Sequence, residues 1–205
     1  MVYTTGLGPS GFRPIELQRA TPVDNPMTPY TIRPANLLDL PYLPAIEKSA
    51  AQRFRDSTEA FIADDDGMPL SAFEHHFVRN QIWVAVHHFQ ADEVDTAEIV
   101  GFAIAREIDG QAYLHEIDVL PAHGRRGLGQ RLIEAVITWA RQKGLPAVTL
   151  STFRAIPWNE PYYAKLGFQP LAEDALGAGL RQVRAHESMS GLDINRRLCM
   201  ILPLL

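Results

Sequence analysis

Residues 112–153 hold a strand, a glycine-rich turn, a helix and a second strand in unbroken succession, and few folds accommodate that order. The first strand, 112–120, runs into Pro121-Ala122-His123-Gly124-Arg125-Arg126-Gly127-Leu128-Gly129-Gln130. A helix over 127–142 follows, with Leu128, Leu132, Ile133, Val136 and Ala140 forming one apolar stripe at the 3.6-residue period. Gly144 stands where a helix stop belongs, and the second strand spans 147–153. Two further strands precede this unit, at 82–87 and 99–106, each carrying β-branched or aromatic residues between polar breaks. Three strands, a helix and another strand predict an α/β or α+β sheet with at least one crossover.

The flanking segments extend the pattern. Tyr30-Thr31-Ile32-Arg33 reads as a short strand stopped by Pro34, and Leu43, Ile46, Ala50 and Phe54 mark one face of a helix. Residues 64–67, Asp-Asp-Asp-Gly, form a solvated loop, since a calcium loop needs acids at alternating positions and a distal Glu. A second helix is expected over 71–80, a short one over 159–166, and a final strand near 196–202; residues 172–192 carry no decodable pattern. Residues 1–29 contain five prolines (Pro9, Pro14, Pro22, Pro26, Pro29) and three glycines, without a sustained period, and read as a tail or extended arm on a domain spanning 30–205. Met27 also makes an alternative start.

The chain of 205 residues has 19 Lys plus Arg against 24 Asp plus Glu, a net charge of −5 that argues against general affinity for nucleic acid or an anionic membrane. Its one cysteine, Cys199, has no partner for an internal disulfide and sits in an apolar run, as a buried small hydrophobe does. With no apolar run near the ~20 residues a membrane span needs and no signal-peptide pattern, the expected compartment is the cytoplasm.

The turn between strand and helix carries the chemistry. Glycines let backbone approach a ligand closely, the helix start presents unpaired N–H groups and a positive dipole end, and Arg125 and Arg126 add charge. That combination suits a pyrophosphate. A Walker-type loop is excluded because Gln130 and Arg131 follow Gly129 in place of Lys and Ser or Thr. A dinucleotide fingerprint is excluded too: the spacing is G-x-x-G-x-G, reversed, and the next strand ends near Phe153 without an acid.

Arg126-Gly127-Leu128-Gly129 after a strand ending at Val119, with Tyr162-Tyr163-Ala164-Lys165-Leu166-Gly167-Phe168 downstream, resembles the GNAT superfamily of N-acetyltransferases. The resemblance covers about 30–202 and implies a mixed, mostly antiparallel sheet of six to seven strands with about four helices. It implies acetyl-CoA as cosubstrate, with Ile117, Asp118 and Val119 along the pantetheine arm and Arg125, Arg126, Gly127, Leu128, Gly129 and Gln130 around the pyrophosphate. The family turn usually starts with Arg or Gln where this chain has Gly124, so Arg125 or Arg126 is expected to supply that charge.

The resemblance also gives Tyr163 the role of acid toward the leaving thiolate, for which a phenol is chemically suited. Tyr162 is read as packing. Two roles are open to Asn159, capping the short helix and contacting the coenzyme. The base that deprotonates the incoming ammonium is expected to be Glu116, on the strand beside the cofactor, or ordered water. Trp158 either walls an acceptor pocket or staples the helix to the sheet, and His115 is within reach of substrate on the same strand as Glu116. His75-His76 and His87-His88 lack the i, i+4 spacing and carboxylate partner of a zinc motif, so the histidines read as surface or loop residues and no metal is expected. The expected reaction is direct acetyl transfer in a ternary complex to a small-molecule amine or amino acid, with a protein N-terminus or lysine as the rival acceptor. A non-catalytic acyl-CoA sensor is the alternative from another class, which retention of both Tyr163 and Glu116 disfavours. A homodimer is implied by the resemblance alone.

Overall fold

The computed structural model describes residues 29–79, 81–91 and 94–204, so most of the expected tail lies outside the described residues. The strands are β1 (Tyr30–Pro34), β2 (Ile82–Ala91), β3 (Val94–Ile108), β4 (Gln111–Val119), β5 (Ala147–Phe153), β6 (Gln169–Pro170) and β7 (Arg197–Pro203). The helices are α1 (Leu43–Ala51), α2 (Leu70–Val78), α3 (Leu128–Gln142), α4 (Glu160–Lys165) and α5 (Ala178–Met189), joined by short 3-10 turns. The sheet runs β1-β2-β3-β4-β5-β7-β6, and every neighbouring pair is antiparallel except β4 and β5. That one parallel pair is the crossover the sequence predicts, because α3 connects the two strands.

Helices cover both faces, which is why Ile82 to Val86 of β2 are buried consecutively, without alternating apolar and polar. Alternate residues serve two cores. Trp83 and Ala85, with Val148, Leu150 and Met200, pack under the stripe of α3, while Ile82, Val84, Val86, Phe102 and Ile104 pack under Leu43 and Ile46 of α1 and Phe73 of α2. The five predicted stripe residues of α3 are all buried, and the Leu, Ile and Val side chains are each worth about 2 kcal/mol on removal from water. Its end closes as a Schellman motif: Leu145 N–H donates to Ala140 C=O at 2.9 Å and Gly144 N–H to Arg141 C=O at 3.0 Å, with Gly144 at φ +70°.

Three readings change. α1 stops at Ala51, and Phe54 lies in a following 3-10 turn, so the apolar face is shared by two elements. The strands β2 and β3 extend beyond 82–87 and 99–106 as a polar, largely exposed hairpin arm, whose residues lack the apolar alternation that marks a strand. α5 occupies part of the segment that carried no pattern. Its inward positions are Leu180, Arg184 and Glu187, so charged residues stand where a helix stripe is ordinarily apolar. They are tolerated because they are paired: Glu187 meets Arg197 of β7 at 2.9 Å and Arg184 at 3.4 Å, and Arg184 donates to Ile194 C=O at 2.7 Å. The 64–67 loop is the solvated turn expected, with Asp64 paired to Arg55 and exposed Asp66 near Lys48.

Candidate active site

β4 and β5 pair only through Ala112, Tyr113 and Leu114 opposite Val148, Thr149 and Leu150. Beyond these, Ser151 to Phe153 of β5 ladder with β7, while Glu116 to Val119 of β4 ladder with β3 and, among the described residues, have no strand partner on the β5 side. A bulge assists the parting. The β3–β4 register shifts between Ile104, opposite Glu116, and Ala105, opposite Leu114, leaving His115 as the extra residue that bends the strand. A gap between the two strands results, with the backbone of Ile117, Asp118 and Val119 along one side. Unpaired strand backbone needs a hydrogen-bonding partner, and the two amides of a pantetheine arm are suited to supply one.

The turn that follows β4 has two residues in left-handed conformation. A 3-10 turn over Pro121–His123 leads to Gly124, and then Arg125 takes φ +58° and Gly127 φ +76°. A left-handed φ is costly for an arginine, and such strain is held where a local geometry requires it. Left-handed residues set in a turn gather successive N–H groups into an anion-binding concavity. Leu128, Gly129 and Gln130 open α3, and among the described residues no side chain caps it. Gly129 has a steric reason as well: a Cβ there would stand 3.0 Å from the Tyr162 hydroxyl. Tyr162 packs, with its phenol lying against the first turn of α3.

Tyr163, Glu116 and Asp118 lie close enough for their charges to act on one another. Tyr163 sits on α4, its ring edge-on to Phe168 at 5.7 Å and to Tyr162 at 5.5 Å. Burial, with Glu116 and Asp118 nearby, drives its phenol well above the usual tyrosine range, so it stays protonated. Burial raises Glu116 to about 7, reinforced by the charge of Glu47 and opposed by a backbone hydrogen bond from Ile117 and by Arg197. Asp118 is raised for the same first reason, then by Glu116 and Glu47, with Arg53 opposing. Glu47, on α1, is the group sequence reasoning missed. Both its carboxylate oxygens accept from Met68 N–H, at 3.1 and 3.0 Å, and burial still raises it. Gly67 permits that approach, as its missing Cβ would meet the Glu47 carboxyl at 3.0 Å.

Other expectations resolve individually. Asn159 does not cap α4 with its side chain; Nδ2 donates to Thr152 Oγ1 at 2.9 Å, tying the helix to β5, while its carbonyl accepts from Tyr162 and Tyr163 N–H. Trp158 packs edge-on to Phe54 at 5.7 Å with the Arg53 guanidinium 4.5 Å above its ring. His115 is held neutral, pushed down to about 3 by burial and then by Arg106. Cys199 is buried opposite Ser151, its thiol pushed up to about 11 chiefly by burial, which removes it as a nucleophile at neutral pH.

Residues 46–168 match the Acetyltransferase (GNAT) family, more than half the chain. The solved structures it resembles carry the same fold. The ribosomal-protein-S18-alanine N-acetyltransferase of Escherichia coli matches at 19% identity and a TM-score of 0.55, covering 85% of this chain and 94% of that one. A GNAT acetyltransferase of Staphylococcus aureus Mu50 matches at 17% and 0.60, with 86% and 99% covered. PaiA N-acetyltransferase of Thermoplasma acidophilum, solved in complex with coenzyme A, matches at 18% and 0.57, with 85% and 98% covered. The chain belongs to the GNAT acetyltransferase family. It is accordingly an acetyl-CoA-dependent N-acetyltransferase, moving acetyl from the thioester to an amine. Among the described residues no helix is long and apolar enough to cross a membrane.

Proposed function

We propose that the chain acetylates a small primary amine or amino acid by direct attack within a ternary complex. The observation that carries this reading is the convergence of three carboxyl groups, Glu47, Glu116 and Asp118, with the Tyr163 phenol beside the gap between β4 and β5. Such a wall attracts a cationic acceptor and then removes its proton. Glu116 suits the base, because a carboxyl titrating near ambient pH combines an available charge with enough basicity to take a proton. Asp118, raised by the same burial and by the charge of Glu116, shares the titration with it.

Acetyl-CoA would lie with its pantetheine along Ile117, Asp118 and Val119 and its pyrophosphate on the turn from Arg125 to Gln130. The backbone near Val119 would polarise the thioester carbonyl. The amine nitrogen then bonds to the carbonyl carbon, the carbon–sulfur bond breaks, and the electron pair leaves on sulfur. Tyr163 faces that sulfur as an O–H donor. A phenol raised so far is a weaker acid than a thiol near 8.5, so full proton transfer is uphill and its main contribution is a hydrogen bond to the developing charge. Orientation of two bound reactants supplies much of the remaining acceleration.

Thiol release from acetyl-CoA, measured against amines, amino acids, aminoglycosides and peptides, tests the proposal. Turnover is expected with small cationic amines. Turnover with peptides alone would overturn the acceptor class, and coenzyme A binding without turnover of any amine would overturn the catalytic assignment.

A further inference from the structure

Away from the reacting centre, three residues distant in sequence converge between the β2–β3 hairpin and the phosphate turn. His87 on β2 faces its cross-strand partner Glu98 on β3, and His123 closes the 3-10 turn just before Gly124. Glu98 Oε1 lies 3.0 Å from His87 Nδ1 and 3.3 Å from His123 Nε2. One ligand atom from each of the three lies within 4.8 Å of the others. A tetrahedral zinc site with bonds of about 2.0–2.1 Å has ligand atoms about 3.3 Å apart, so two edges of the tetrahedron already have the required length.

The surroundings hold these rings in place. His87 is stacked between Tyr30, at 4.7 Å and 24°, and Phe89, at 5.2 Å and 19°. The Tyr30 hydroxyl lies 3.0 Å from His123 Nδ1, the nitrogen turned away from Glu98. That is the relation of an outer-shell partner to a ligating histidine: it fixes the ring and the tautomer that leaves the other nitrogen for the metal. The His87 and His123 side chains are 22% and 14% exposed and Glu98 46%, so an ion has access while both rings are confined.

We propose that His87, Glu98 and His123 form a site for one zinc-class divalent cation, with Tyr30 as the outer-shell partner of His123 and water in a fourth position. Two imidazoles and one carboxylate select zinc, cobalt, nickel or copper over magnesium or calcium, which take oxygen ligands. In the metal-bound state the proton sits on Nε2 of His87 and on Nδ1 of His123, where Tyr30 accepts it, so the two nitrogens that face Glu98 offer lone pairs to the ion. The ion would tie the hairpin to the turn that carries Arg125 and Gly127, giving it a structural role separate from acetyl transfer.

Tag-free protein, stripped with a chelator, is titrated with zinc by calorimetry and with cobalt(II) by visible absorption. One equivalent is expected, with the intense d–d bands of tetrahedral cobalt and an upward shift of the melting temperature. Tyr30→Phe is expected to weaken binding about 10-fold to 100-fold. Glu98→Gln, an exposed and conservative change, should abolish the one-equivalent step and the thermal shift while circular dichroism is unchanged, and His123→Ala should do the same. Equal zinc uptake by wild type and Glu98→Gln would overturn the site, and so would cobalt spectra of octahedral form alone. Neither outcome depends on turnover, so failure here is distinguishable from failure of the acceptor assignment.

Discussion

Replacing Glu116 with Gln separates catalysis from stability, because the structure predicts that the two move in opposite directions. A carboxyl that titrates at about 7 in the folded chain, against its ordinary 4.5, costs about 3 kcal/mol more to ionise there than in water. A group raised in this way lends its full stability below pH 4.5, where folded and unfolded chains both hold the proton, and loses it as the pH climbs through 7. At pH 8 the wild type has lost that contribution. Glutamine cannot ionise, so the variant should melt higher at pH 8, by up to about 3 kcal/mol, and equally at pH 4. Glu47, raised by burial and then by the charge of Asp65, and Asp118, raised by burial and then by the charges of its neighbours, leave some pH dependence in the variant. Activity should move the other way. Loss of a general base ordinarily costs about 10²–10⁴ in rate. The deficit in kcat/KM should be greatest near pH 7–8 and should narrow at higher pH, where free amine is plentiful. Differential scanning fluorimetry of the coenzyme-free protein at pH 4 and 8, with pH–rate profiles on one amine, measures both arms. A variant within threefold of wild type, with the same pH profile and no thermal gain at pH 8, would refute the placement of Glu116 as a desolvated base.

Tyr163→Phe keeps the ring against Phe168 but removes the donor at sulfur; kcat should fall about 100-fold or more with little change in the KM for acetyl-CoA, read from initial rates. Gly127→Ala forces a side chain onto φ +76°, where nothing crowds the added carbon but the conformation itself is strained. It should cost about 1–2 kcal/mol in denaturant unfolding and weaken coenzyme A binding in calorimetry.

The parts of the fold that were legible in sequence are those where one local rule acts alone. α3 shows its stripe, its glycine stop and its preceding turn, and the structure places it one residue from the expected start. α5 was illegible because its buried face is completed by Arg184 and Glu187, whose partners Arg197 and Ile194 lie on other segments. The glycine turn before α3 and the tyrosine pair on α4 were legible as spaced motifs. Glu47 was not, since nothing near it in sequence signals a carboxyl facing Glu116 from another element. The His87, Glu98 and His123 cluster escaped for the same reason. Zinc motifs on a helix declare themselves by spacing, whereas these three meet through a strand register and a turn. Asn159 shows the limit of capping rules, because Thr152 on β5 competes for its side chain.

The brief contact between β4 and β5 divides the sheet into two leaves. Four strands lie on one side and three on the other, stitched by the pairs from Ala112 to Leu114 and bridged by α3. A seam that short is a weak line across the middle of the backbone network, so the leaves should open separately before either unfolds. A cosubstrate lying along β4 would occupy the place of the absent ladder and act as a removable stitch. Amide protons near Ser151 and Ile117 should then exchange in step with coenzyme A occupancy, and each turnover would briefly loosen and retighten the protein along one line.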